Sequence, residues 1–386
     1  MSVASVADGG FPQPLAGLRV LDLSLLLPGP YCTALLAAFG AEIVKVEPPG
    51  GDPVRRLNPE LYRQYARNKQ SIVLNLKDVD GLAAFLRLAE GADAVLEGFR
   101  PGTADRLGIG PKRLRELNPR LVYASLSGFG QTGPYRNRAA HDLNYLALAG
   151  YYAVPSQLDG AKARPNVRLA DLAAGQQAAL AMAMALMAAR GSGRGTTIDV
   201  GVFDCIAAMA LPLLLASPAG ADAVEMPHVM ADSDLFTTAD GSWITLGTLE
   251  DKFWCAFASA CRDLEPALAE ERWATRRGRD GAKRDLSALL RKTIGRETLA
   301  QWRHRLDAVD TAWAPVAEGR ELLDDPHFAA RGLRVGDGYV RFPVLFDGTA
   351  EAAPHDAPAL GADGARLLRE AGLDAAIVAR LTVPAA

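Results

Sequence analysis

Apolar residues in this chain fall into a few recurring arrangements. Short apolar-rich runs, "GLRVLDLS" at 17–24, "AEIVKVE" at 41–47, "DAVLEGF" at 93–99 and "LVYASLS" at 121–127, have the length of buried strands. Between them lie segments with helix punctuation. "GPYCTALLAAFG" at 29–40 carries Pro30 near its start and Gly40 at its end, and "DVDGLAAFLRLAEG" at 78–91 repeats the theme. Strand, helix and strand in this order make a βαβ unit. Its repetition over residues 17 to about 130 predicts an α/β fold with an open parallel sheet and helices on both faces. Ligands of such sheets sit beyond the C-terminal strand ends, so the loops 24–30, 47–56, 97–101 and 127–141 are expected on one rim.

Two longer apolar stretches come next. "AALAMAMALMAAR" (178–190) lies behind Asp171, Gln176 and Gln177 and stops at Arg190, while "AAMALPLLLA" (207–216) contains Pro212. Neither offers 18 uninterrupted apolar residues, so both read as buried helices rather than membrane spans. The pattern then changes. "LFTTADGSWITLG" (235–247) reads as a hairpin turning at Asp240-Gly241, with amphipathic helical segments after it to about residue 308. These shifts predict a tail over 1–14, a large domain over 15–215, a linker over 216–227, a smaller α+β domain over 228–318 and a C-terminal segment over 319–386.

Composition narrows the function. A chain of 386 residues that is 49% hydrophobic is long and apolar enough for two cores. The net charge of -3 comes with no basic run, so no electrostatic footprint for nucleic acid or an anionic membrane is expected. Five histidines and four cysteines are scattered without ligand spacing, and no metal site is implied. Residues 1–14 lack a basic start and an apolar core, so a reducing, cytoplasmic location with free thiols is expected.

"GFGQTGPYRNRAAHDLNYLALAG", Gly128 to Gly150, opens on a G-x-G-x-x-G pattern. A dinucleotide loop needs a strand before it and a helix starting inside it. The strand is present, but Pro134 and "YRNRAA" show no helical period, so the glycines read as a turn that positions the segment leading to His141. Three residues stand out as candidate chemistry: His141, Asp171 and Glu250. An imidazole suits proton transfer near neutrality, yet a lone histidine serves equally as a hydrogen-bonded structural residue. Asp171 opens the alanine-rich helix, where an acid is also an ordinary first-turn residue, and Glu250 after Thr248 has the same ambiguity.

The motifs "LAGLRVLDLSLLLPGPYCTALLAAFGAEIVKVEPPGGDPVR", "RNKQSIVLNLK", "FRPGTADRLGIG", "NPRLVYASLSGFGQTGPY", "GSGRGTTIDVGVFD" and "DDPHFAARG", in this order, resemble the family III CoA-transferases and their relatives the α-methylacyl-CoA racemases. The resemblance implies a Rossmann-like large domain, a small domain, a C-terminal segment returning to the large one, and an interlocked homodimer. It also implies an acyl-CoA substrate with no prosthetic group, CoA entering as part of the substrate. The CoA moiety is then expected along Leu74, Asn75 and Lys77, along Gly98, Phe99 and Arg100, at Arg106, and at Arg138, Ala140 and the residues to His141. Arginine and lysine suit phosphate recognition through charge-assisted hydrogen bonds.

Asp171 falls on the family's catalytic aspartate. Transferases use that carboxylate as a nucleophile, through a mixed anhydride and an enzyme thioester, and racemases use it as a base. "HDLNYLALAG" resembles the racemase segment whose histidine is the second base, where transferases carry an aromatic. "LGTLEDKF" resembles the segment whose glutamate bonds that histidine across the dimer, which assigns Glu250. "VRLADLAAG", with Val167 four residues before Asp171, looks like the transferase form instead. The resemblance therefore implies an acyl-CoA racemase or epimerase working by two-base 1,1-proton transfer at the α-carbon, with a CoA-transferase acting through Asp171 as the alternative. A catalytically inert CoA-binding protein is the third reading.

Overall fold

A computed structural model describes residues 10–218 and 220–382. Most of the tail expected at 1–14, Ala219 of the expected linker and the last four residues lie outside the described residues. The main sheet has six parallel strands: β1 (Arg19–Asp22), β2 (Glu42–Glu47), β3 (Lys69–Val73), β4 (Ala94–Glu97), β5 (Val122–Ser127) and β6 (Thr197–Gly201). They are ordered β3-β2-β1-β4-β5-β6. This is the doubly wound order in which direction reverses beside β1, leaving a crevice between the ends of β1 and β4. The expected α/β class with an open parallel sheet is what the chain adopts. β3 ("KQSIV") and β6 ("TIDVG") are not among the strands predicted from the apolar runs. Each is short and interrupted by polar residues, and β6 is an edge with one face in solvent.

Among the described residues up to Ala216, nine helices follow in chain order: α1 (Pro28–Ala38), α2 (Val54–Leu57), α3 (Pro59–Ala66), α4 (Val79–Glu90), α5 (Thr103–Arg106), α6 (Pro111–Leu117), α7 (Asp142–Leu148), α8 (Leu169–Ser192) and α9 (Val202–Ala216). Proline at the first helical position starts α1, where a missing N–H costs nothing. α4 is capped by Asp78, whose carboxylate accepts the Asp80 N–H at 3.3 Å. α8 is long and apolar enough to cross a membrane by length and composition, but it lies against α1, β5 and β6 with Ala170, Ala174, Ala178 and Met182 buried. One core joins Leu21, Val44, Phe85, Leu88, Val95 and Leu121 to Leu367, Leu368 and Val378, far away in sequence.

The chain divides into two compact units. Among the described residues, the larger holds those up to Tyr151, then Pro165–Ala210 and those from Arg331 to Thr382; the smaller holds Tyr152–Arg164 and those within Leu211–Ala330. In the smaller unit, the antiparallel strands β7 (Leu235–Thr237), β8 (Trp243–Leu246) and β9 (Trp313–Pro315) pack with α10 (Asp251–Ala260), α11 (Arg276–Gly281), α12 (Lys283–Ile294) and α13 (Leu299–Leu306). Its core is built on Trp254, Phe257, Trp273 and Trp302. The hairpin turns at Asp240-Gly241, as its dipeptide predicts. The sequence pattern assigns residues 152–164 to the large domain and begins the C-terminal segment at 319. Residues 152–164 instead join the smaller unit because Leu158 packs on its tryptophan core and Pro155 O meets His228 Nε2 at 2.9 Å.

After α14 (Pro326–Arg331), the strands β10 (Arg334–Val335) and β11 (Tyr339–Val340) and the helices α15 (Gly364–Glu370) and α16 (Ala375–Thr382) belong to the larger unit. Phe11, inside the expected flexible tail, packs its ring against Phe39 at 5.4 Å and Phe346 at 5.3 Å.

Candidate active site

At the crevice between β1 and β4 lies a cleft of about 460 Å³. Its walls are Ser24–Gly29 after β1, Gly98–Pro101 after β4, the end of β5, the Arg136–His141 segment and the first turn of α8. Beneath the first wall is a buried charge network. Asp22 and Lys69, both fully enclosed, meet at 3.3 Å, and the Lys69 ammonium also donates to Pro30 O at 2.8 Å and Thr33 Oγ1 at 2.6 Å. Lys45 donates to Ser24 O at 2.9 Å and pairs with Asp52 at 3.0 Å. Burial works against the Asp22 carboxylate, but Lys69 and Lys45 outweigh it and lower its pKa; burial pushes Lys69 down to about 8. The network holds the backbone of this wall, where Leu26 sits at φ 67°. A left-handed leucine costs on the order of 1–3 kcal/mol and persists only where its surroundings impose it.

The glycine pattern after β5 is a turn, as its sequence context indicates. β5 ends at Ser127 and no helix begins before Asp142. Gly128 has no room for a side chain, because a Cβ there would lie 2.4 Å from Tyr145 Oη. Gly130 takes φ 76°, and the following Gln131 N–H is held by both carboxylate oxygens of Asp199 at 3.1 and 2.9 Å. Tyr145 stacks edge-on against Phe129 at 5.3 Å and donates its hydroxyl to Ala140 O at 2.9 Å. These contacts fix the stretch that delivers Ala140 and His141 to the cleft.

His141 is the residue before α7, and its backbone N–H donates to Asn144 Oδ1 at 3.0 Å, a local helix-start bond. Its exposed imidazole lines the cleft. Asp171 lines the same cleft from the first turn of α8. Burial raises its pKa to about 6; Asp142 adds to the rise, while Arg168 and His141 oppose it. The sequence pattern has Asp171 opening this helix. The helix instead begins at Leu169, and the N–H groups of Ala170 and Asp171 are both taken by Asp142 Oδ1, at 2.8 and 3.2 Å. This link from Asp142 to the first turn of α8 is one that sequence reasoning misses. The available signal is an acid next to the histidine at a helix start, the ordinary place for a solvated carboxylate.

Of the residues expected to hold CoA, Gly98, Phe99, Arg100, Arg138 and Ala140 line the cleft. The others do not. Leu74 turns its side chain into the core, Asn75 uses its side-chain oxygen to accept the Lys77 N–H at 3.1 Å, and Lys77 is exposed. The Arg106 guanidinium donates to Thr103 Oγ1 at 2.8 Å. Glu250 lies in the smaller unit, where it stands at the N-cap position of α10; Thr248, two residues before it, is buried and donates to Asp232 O at 3.1 Å. Among the described residues, no group of three or more His, Cys, Asp or Glu is placed to hold a metal ion.

Residues 15–364 match the family model described as CoA-transferase family III. The chain is 36% identical over 339 residues to a succinyl-CoA–D-citramalate CoA-transferase of Chloroflexus aurantiacus, covering 84% of each chain. It is 30% identical over 373 residues to the mouse alpha-methylacyl-CoA racemase, covering 93% of each. Among solved structures, a CAIB/BAIF family protein from Brucella suis superimposes with a TM-score of 0.81 at 26% identity, over 94% of this chain and 100% of that one. The family model over residues 15–364 and relatives that cover most of its length place this chain, with its doubly wound sheet and an acid and a histidine at the switch-point cleft, in the CoA-transferase family III, whose members act on CoA thioesters.

Proposed function

We propose that the protein is an acyl-CoA racemase or epimerase that inverts the carbon next to the thioester by 1,1-proton transfer. The observation that supports this reading best is that His141 and Asp171 line one cleft. Inversion requires a proton to leave one face of the α-carbon and another to arrive on the opposite face, so two groups able to hold and give protons must flank it. Asp171, with its pKa raised to about 6, retains basicity that an exposed carboxylate lacks. His141 is the second base. Arg100 and Arg138 on the rim are assigned to the CoA phosphates, with Gly98, Phe99 and Ala140 giving backbone and ring contacts. Leu74, Asn75, Lys77 and Arg106 extend that track outside the cleft.

Glu250 is assigned as the carboxylate that orients the His141 imidazole, reaching it from a second copy of the chain. The homodimer has support in the surface of α8, where Leu180, Met184 and Met187 recur at helical spacing and are more than half exposed. Such a stripe is a face that a partner covers. Light scattering at micromolar concentration is expected to give a dimer, and Leu180→Lys with Met184→Lys to dissociate it. A catalytically active wild-type monomer would remove Glu250 from the mechanism.

A second reading has its own support. Kinship to CoA-transferases, at 36% identity for one of them, and the form of the segment before Asp171 favour a carboxylate nucleophile that passes CoA between acids. Incubation with a panel of 2-methylacyl-CoA thioesters in D2O, with and without free carboxylic acids, separates the two. Deuterium at the α-carbon of both epimers without added acid supports the racemase. New acyl-CoA products that require the acid, together with a trapped CoA thioester on Asp171, would establish the transferase.

A further inference from the structure

We propose that Asp142 is a positioning residue that ties the two chemical groups of the cleft to each other. It comes directly after His141 in the chain, and its side chain is buried. One of its oxygens, Oδ1, receives the N–H of Ala170 at 2.8 Å and the N–H of Asp171 itself at 3.2 Å. A single carboxylate thus joins the start of α7, which carries His141, to the start of α8, which carries Asp171. The two helices begin 27 residues apart (Asp142 to Leu169), and the loop between them does not by itself fix their separation. A buried acceptor of two helix-terminal N–H groups does, because releasing either donor leaves it unpaired away from water.

The same placement puts a second negative charge beside Asp171. Two nearby carboxylates disfavour ionisation of one of them, and Asp142 is the leading charged contribution to the raised pKa of Asp171. The other groups bearing on Asp171 are Arg168 from the preceding turn and His141, which favour its charged form, and Tyr145 of α7, whose hydroxyl is taken by Ala140 O. From α1, the Tyr31 hydroxyl accepts from Gln176 Nε2 at 3.1 Å; of the neighbouring strands, β6 presents Asp199, engaged by Gln131, and β5 presents buried Tyr123. Asp142 therefore acts twice on Asp171, holding its backbone and keeping its proton affinity near neutrality.

The inference rests on the acyl-CoA reading for its kinetic consequence but not for its physical one. Asp142→Asn keeps an oxygen able to accept both N–H groups and removes the charge. In protein labelled with 13C at aspartate carboxyls, the Asp171 titration is expected to move down by about one unit in Asp142→Asn, with the melting temperature nearly unchanged. The acid limb of kcat/KM should move down with it. Asp142→Ala, which also loses the acceptor, is expected to melt lower and to lose more than about tenfold in kcat. A merely structural Asp142 would lower stability without moving the Asp171 titration. An unmoved titration in folded Asp142→Asn overturns the proposal. Should that variant not fold, the wild-type protein decides: slow exchange of the Ala170 and Asp171 amides and a raised Asp171 titration support it, and fast exchange with an ordinary carboxylate titration overturns it. If no acyl-CoA is turned over by the wild type while the titration shift is present, the functional reading fails and the role of Asp142 stands.

Discussion

Lys69 reaches Asp22 at 3.3 Å with both side chains sealed from water, and the same ammonium holds the carbonyl of Pro30 in the first turn of α1. A buried pair is weak evidence of net stabilisation, but breaking it from one side leaves the buried Asp22 carboxylate without its directly paired cation and with Lys45 alone to offset its charge. Lys69→Met is therefore expected to destabilise the protein by about 3–5 kcal/mol, read from urea unfolding. A loss below about 1 kcal/mol would mean that water or another cation reaches Asp22.

Asp171 carries a stability cost with a definite pH dependence. Its pKa is raised in the fold, from 3.8 to about 6, so the charged form is the one that folding disfavours. That penalty is absent below the unfolded value, grows as pH rises through about 6, and is complete above it. Asp171→Asn should abolish turnover yet stabilise the protein by about 1–3 kcal/mol at pH 8, with the gain fading towards pH 4. Thermal melts at the two pH values test the sign, and a gain at pH 4 that equals the one at pH 8 contradicts the raised pKa.

The two proposed bases should separate in isotope exchange. With His141→Ala, the epimer whose α-proton only the imidazole reaches should stop exchanging in D2O, while Asp171 still washes deuterium into the other without inverting it. Asp171→Asn should show the opposite dependence. Glu250→Gln should weaken the histidine-dependent half more strongly. Loss of exchange from both epimers in both folded variants would sink the two-base assignment.

Gly128→Ala places a methyl group 2.4 Å from Tyr145 Oη and 2.9 Å from its ring carbons. Tyr145 must move, and with it the hydroxyl that holds Ala140 O. A destabilisation of about 1–3 kcal/mol is expected, with weaker acyl-CoA binding. In Gly128→Ala/Tyr145→Ala the two costs should fall short of their sum, since the second change removes the obstacle created by the first. Strict additivity would show that the ring does not oppose the added methyl.

The parallel sheet is readable in the sequence because β1, β2, β4 and β5 each carry a short cluster of apolar residues between helical segments, as strands covered on both sides do. β3 is not, since Lys69 and Ser71 look like surface residues and are buried only because Asp22 and Glu47 wait for them on neighbouring strands. His141 and Asp171 are legible through the resemblance of their segments. Asp142 is not, because its partners are two backbone amides 28 and 29 positions away, and a hydrogen bond from main chain leaves no trace in side-chain identity. Leu26 hides for a related reason, a left-handed backbone being anticipated at glycine or asparagine and not at leucine.

The edge strand β3 has a neighbour made almost three hundred residues later. Asp363 Oδ2 accepts the Ser71 N–H at 3.0 Å, Gly361 N–H donates to Ser71 Oγ at 2.9 Å, and Leu367, Leu368 and Val378 fill the core behind the sheet. A ribosome making this chain therefore delivers the last pieces of the first-made layer almost three hundred residues after β3 has emerged. Until then the nascent sheet exposes an unprotected flank and an unfilled hydrophobic hollow, a long loop closure must precede its completion, and chaperone occupancy over that interval is the state such connectivity demands.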